Sequence, residues 1–278
     1  MATGEHGTPF RIFVAGFGSV SHVQPRDLPN PAFEIIKRLP SALSPASASR
    51  SHTYYPSIEI VAHPDPLPWS YHGLLQTVPS LVRRNVDAVV LILLIGVAVG
   101  QEYYSVEPSA VRDGYHEVPD LDRRTLPKGE GVKIWGRKSR ERLATSVYLA
   151  AVGKSWHEEL AVVHLGHDKK RLGGGKADEA GRGQGQQKSL PDLRHTDDVG
   201  SYVCGLLYYS TLAELVRITN EGAAATTATS GKREMEGKAV FLHVPLLLGD
   251  EQFEAGYEVV VALMRALAVV HSDVTRWV

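Results

Sequence analysis

Residues 87–100 read DAVVLILLIGVAVG, an unbroken apolar run that ends in a glycine turn. A run of this length without polar alternation fits a strand covered on both faces. At residues 88–99 it is well short of the roughly 20 residues that span a bilayer. Working outward, RIFVA at 11–15 is a second short apolar strand and ends in its own glycine turn, GFGSV. Asn30-Pro31 has the form of an N-cap and first-turn pair, opening a helix through Ile35, Ile36 and Leu39. Residues 40–50 crowd Pro, Ser and Ala as a loop does. Residues 57–62 form a strand, and 74–84 a helix in which Pro79 marks a kink or restart. From Gln101 to Gly136 the chain is irregular and polar, with Glu107 inside it.

The second half continues the alternation. Residues 139–156 read as a helix, 160–165 (LAVVHL) as a strand, 239–244 as a strand, and 251–270 as an amphipathic helix. Residues 169–188 and 221–237 are low-complexity loop insertions whose composition cannot bury enough apolar surface to order itself. Strands alternating with helices predict an α/β fold: a mostly parallel twisted sheet with helices on both faces, in a single domain over residues 1–278. Functional groups of such sheets gather beyond the carboxyl ends of the strands.

Composition narrows the partners. Lys plus Arg number 30 against 31 for Asp plus Glu, so no net field recruits nucleic acid or an anionic membrane. One cysteine allows no intramolecular disulfide and suits a reducing compartment. MATGEHGTPF at the start holds no apolar signal core. The expectation is a soluble cytoplasmic protein, with a homo-oligomer possible.

The single cysteine, Cys204, lies in DDVGSYVCGLLYYSTL, residues 197–212. Asp197 or Asp198 can cap a helix there, and Val199, Val203, Leu206, Leu212 and Leu215 recur at helical spacing to about Asn220. Cys204 would then sit within the first two turns, where the helix dipole favours an anion. A lone cysteine among aliphatic residues is most often a small buried hydrophobe. Two distant segments set this one apart: FLHVPLL around His243, and YYSVEPSAVRDGY around Glu107.

The succession Gly200, Tyr202, Val203, Cys204, Tyr208, Leu212 resembles the nucleophile helix of the pyroglutamyl peptidases, also called pyrrolidone-carboxylate peptidases. Gly16-Phe17, Asn30-Pro31, the buried strand ending in Gly96–Gly100, Glu107 with Ala110, Pro119-Asp120, and His243-Val244-Pro245 fall in the order of that family. The two insertions suggest a divergent, fungal-like member. The resemblance implies a Cys204–His243–Glu107 triad and a pyrrolidone pocket lined or bordered by Phe17, Asn30, Val97, Tyr202 and Val203. It implies a cysteine omega-peptidase acting on peptides whose N-terminus is blocked by pyroglutamate, with neither cofactor nor metal. The frame departs from the family pattern: Gly18-Ser19-Val20 replaces Pro-Phe-Gly, Val97 replaces Gln, Pro108 replaces Arg, and Gly205 replaces Asn.

Other signals are weaker. GFGSVS lacks the third glycine of the dinucleotide fingerprint, GGGK at 173–176 lacks the rest of a P-loop, and HLGH at 164–167 lacks a carboxylate partner. Besides the peptidase, the alternatives are a weak or inactive relative that binds peptides or partners on the same fold, and a nucleotide-binding α/β protein using the glycine turns.

Overall fold

The computed structural model describes residues 9–19, 29–45, 56–172, 190–197, 199–225 and 237–276. Val20, Asp198 and most of the two low-complexity segments lie outside the described residues.

Seven strands form one sheet: β1 (Phe10–Gly16), β2 (Ala42–Leu43), β3 (Ile58–Ala62), β4 (Leu91–Ala98), β5 (Tyr104–Glu107), β8 (Leu193–His195) and β9 (Ala239–Pro245). Their order is β2-β3-β1-β4-β9-β5-β8, with β3, β1, β4 and β9 mutually parallel. β2 runs antiparallel to β3, and β5 antiparallel to β9 but parallel to β8. A separate antiparallel pair joins β6 (Ser109–Val111) to β7 (Arg142–Ala144). Six helices accompany the strands among the described residues: α1 (Pro31–Arg38), α2 (Tyr71–Asn85), α3 (Glu130–Trp135), α4 (Leu149–Leu172), α5 (Val203–Ala225) and α6 (Asp250–Arg276). None of them is long and apolar enough to cross a membrane.

The continuous apolar strands are explained by the two cores they serve. Alternate residues of β4 and β9 point to opposite faces. Leu91, Leu93, Ile95, Val240, Leu242 and Val244 face α1, α4 and α6. Ile92, Leu94, Ala239 and Phe241 face α2 and α5. Asn30 caps α1 as expected, its Oδ1 accepting the Ala32 N–H at 2.9 Å. Pro79 sits inside α2 without dividing it.

Four expectations need correction. Residues 160–165 are not a strand but the middle of α4. Leu160 is buried in the core while Val162 is exposed, so the run is one side of a helix. The strand that leads into the cysteine helix is β8, which pairs with β5 at the sheet edge. The helix expected over 139–156 begins only at Leu149, because Arg142–Ala144 pairs with β6 instead. Glu107 lies not in an irregular loop but on a buried strand, paired across from Phe241. The cysteine helix starts at Val203, not after Asp197. Gly200 adopts φ +80°, and the Val199 N–H donates to Ser109 O at 3.2 Å, which holds the approach non-helical.

The α4–α6 seam is pinned by Trp156, which is buried and donates from Nε1 to Val259 O at 2.9 Å. Trp156→Ala is expected to cost about 3–5 kcal/mol through cavity formation, read as a lowered urea midpoint with unchanged slope. A loss below about 1 kcal/mol, the range of tolerated volume-conserving swaps, would show that the seam repacks.

Candidate active site

The site forms on the α2/α5 face of the sheet. In β4 and β9, Gly96 pairs with His243. Both lie in phase with the residues that point toward α5. A Cβ at Gly96 would stand 3.1 Å from Cys204 Sγ and 2.8 Å from the Phe241 ring. Only a glycine lets the thiol settle over the strand here. In β5, Tyr104 and Val106 face the other core, which turns Ser105 and Glu107 toward the cysteine.

Glu107 reaches His243 across the antiparallel pair, a diagonal cross-strand contact. Its Oε1 accepts from His243 Nδ1 at 2.8 Å and from Ser105 Oγ at 2.7 Å, and its Oε2 accepts from Thr196 Oγ1. Glu107 is 1% exposed and His243 8%. Tyr208, fully buried on α5, donates its hydroxyl between Ala239 O (3.1 Å) and Glu107 O (3.3 Å), tying β9 to β5 beneath the carboxylate. The Phe241 ring meets the imidazole edge-on, with centroids 4.9 Å apart.

Cys204 is the second residue of α5, whose first turn leaves backbone N–H groups without intrahelical acceptors. It lies beside His243, whose Nδ1 is taken by Glu107, leaving Nε2 as the ring nitrogen available to the thiol. Burial opposes protonation of the imidazole. The interactions with Cys204 and Glu107 outweigh burial and push His243 up to about 9. The imidazole is therefore bonded to the carboxylate and lies beside the thiol.

The residues expected around the substrate are placed less uniformly. Tyr202, partly buried, precedes α5 and meets Tyr71 edge-on at 6.2 Å. Burial, then the charges of Asp120 and Cys204, raise its phenol, which therefore stays protonated beside the thiol. Val203 is fully buried in the α2/α5 core. Phe17 is also fully buried, continuing β1 through a bridge to Leu67. Asn30 is fully buried, with its Nδ2 donating to Gly18 O at 3.0 Å, so its side chain fastens the turn after β1 to α1. Val97 is next to Gly96, so strand alternation directs its side chain away from Cys204. The structure brings Cys204, His243 and Glu107 together and does not bring Val97 to them.

Three further residues escaped sequence reasoning. Trp69 covers Phe17, with ring centroids 4.5 Å apart, and donates from Nε1 to Gly18 O at 2.8 Å. Its position just before α2 gives no signal in the sequence. Ser105 could have been found, since a residue two before Glu107 on a strand shares its face. Thr196, 89 residues from Glu107, carries no sequence signal. Asp120, named from its Pro-Asp context, accepts from the Tyr71 N–H at 2.8 Å and the Arg124 N–H at 3.0 Å, joining the loop before α3 to the start of α2.

No protein-family model matches the chain, and no curated protein matches it. Solved structures do. Pyroglutamyl peptidase I from Bacillus amyloliquefaciens is 14% identical at a TM-score of 0.57, covering 95% of this chain and 96% of its own. Pyrrolidone carboxyl peptidase from Thermococcus litoralis is 14% identical at 0.54, covering 92% of each. A mutant pyrrolidone carboxyl peptidase from P. furiosus is 13% identical at 0.54, covering 92% of this chain and 97% of its own. Over nearly its whole length, this chain has the α/β fold of the pyroglutamyl peptidases.

Proposed function

We propose that this protein is a cysteine omega-peptidase that removes N-terminal pyroglutamate from peptides. The observation that carries the reading is the hydrogen bond between His243 and Glu107 with Cys204 beside the imidazole, assembled from α5, β9 and β5. In this mechanism His243 has taken the thiol proton before attack, and the Cys204 thiolate beside the imidazolium attacks the pyroglutamyl carbonyl. The backbone N–H of Cys204 donates to the developing oxyanion. The C–N bond breaks as His243 returns the proton to the leaving amine, leaving a thioester. Water, deprotonated by the same imidazole, then adds to the thioester carbonyl, and the C–S bond breaks to release pyroglutamate and the thiol. Glu107 holds the imidazole in the required tautomer and supports its charged form.

The test is mass analysis of a pyroglutamyl peptide, and of its free-N-terminus counterpart, after incubation with purified protein. Loss of one residue from the first alone is expected. Equal cleavage of both, or of neither, contradicts the assignment.

The pH dependence follows from His243. A raised imidazole is protonated below its own value and loses the proton as pH rises through it. Activity that needs the imidazolium should therefore persist through neutrality and fall on an alkaline limb near 9. Glu107→Gln removes one of the groups that raise His243 and should move this limb down. A limb near the ordinary histidine value of about 6.5 would show that the imidazole is not held as described.

A further inference from the structure

We propose that Thr196, with Ser105 as its counterpart, is a positioning residue that fixes the Glu107 carboxylate in the plane that meets His243. This rests on the triad reading above and adds two members to it.

Glu107 is almost wholly buried, and its two oxygens receive three donors: Ser105 Oγ and His243 Nδ1 on Oε1, Thr196 Oγ1 on Oε2. If only His243 bonded it, the carboxylate could rotate about its last side-chain torsion, which is broad for such groups. With one hydroxyl on each oxygen, that rotation breaks a bond in a site where water does not replace it.

The two hydroxyls come from different places. Ser105 is on β5 itself, two residues before Glu107 and on the same face. Thr196 follows β8 and opens the segment that leads to Cys204. Nearby, Ser109 Oγ donates to Asp197 O at 3.3 Å, and the Val199 N–H donates to Ser109 O. The segment between β8 and α5 is thus bonded to Ser109, two residues after Glu107, as well as to Glu107 itself. Thr196 therefore links the acid to the element that carries the nucleophile. The titratable groups that face His243 are Cys204 from α5 and Glu107 from β5. Tyr208, also from α5, is buried beneath them with its phenol pushed far up by burial.

The experiment measures kcat and KM for a pyroglutamyl-coumarin amide against pH in the wild type, Thr196→Val, Thr196→Ser and His243→Ala, with the melting temperature of each. Thr196→Val keeps the shape and removes the donor. Its kcat is expected to fall about tenfold and its alkaline limb to move down by about one pH unit, the tenfold equivalent in proton affinity, with KM unchanged. Thr196→Ser should restore both. If Thr196→Val does not fold, Ser105→Ala removes the other hydroxyl and carries the same expectation. Wild-type kcat and limb position in a folded Thr196→Val protein, alongside an inactive His243→Ala, would overturn the clamp and leave the triad standing. A wild type whose turnover does not depend on His243 would remove both.

Discussion

Cys204→Ala and His243→Ala are each expected to lower kcat for a pyroglutamyl amide by about 10⁴–10⁶-fold, with Glu107→Gln losing less. The ranking follows from what each change leaves. Without Sγ there is nothing to form the thioester, and without Nε2 nothing takes the thiol proton. Glu107→Gln leaves nucleophile and base in place and keeps an oxygen that can accept from Nδ1. It removes the charge that, with Cys204, outweighs the burial of His243. The buried hydroxyls of Ser105 and Thr196 must then share an amide in place of a carboxylate. Single-turnover assays separate the steps: Glu107→Gln should slow thioester formation without preventing it. Full activity in His243→Ala would mean that Cys204 has another base.

The second large effect concerns Gly205, where the sequence departs from the pyroglutamyl peptidase pattern. A Cβ at this position would stand 2.0 Å from the Gly200 carbonyl oxygen and 3.3 Å from the Tyr115 hydroxyl. Real atoms do not approach so closely, so Gly205→Ala must open the turn between Gly200 and the helix start. Gly205→Asn, which installs the residue expected from the family, asks for more room still. Overpacking of this kind costs about 1–3 kcal/mol. Cys204 is the neighbouring residue, so the same shift moves the thiol relative to His243. A displacement of about 1 Å can cost about 10²-fold in rate. Both variants should therefore lose activity beyond what their lowered melting temperatures explain. Near-wild-type kinetics in Gly205→Ala would show that the turn yields without moving Cys204.

The strands that carry the site were legible where burial on both faces left a continuous apolar run, as in β1, β4 and β9. Asn30 was legible as a cap because Asn suits the N-cap and Pro the first position of a helix. The segment 160–165 misled because a short apolar run has no period that separates a strand from one side of a helix. Glu107 was recognised by its context but not its environment, since β5 is four residues long and its partners, β9 and β8, come much later in the chain. Val97 shows a further limit. Its neighbour Gly96 lies under the thiol, but which residue of an apolar strand faces the site depends on register, and register is set by the partner strand.

The most direct test of Cys204 as the nucleophile uses the fact that it is the only cysteine in the chain. Purified protein is assayed on a pyroglutamyl-coumarin amide while iodoacetamide alkylation is followed by intact mass. One adduct per chain should appear at neutral pH, its formation should parallel the loss of turnover, and a pyroglutamyl aldehyde should slow both. Undiminished turnover by fully alkylated protein would contradict a thiol mechanism at this site.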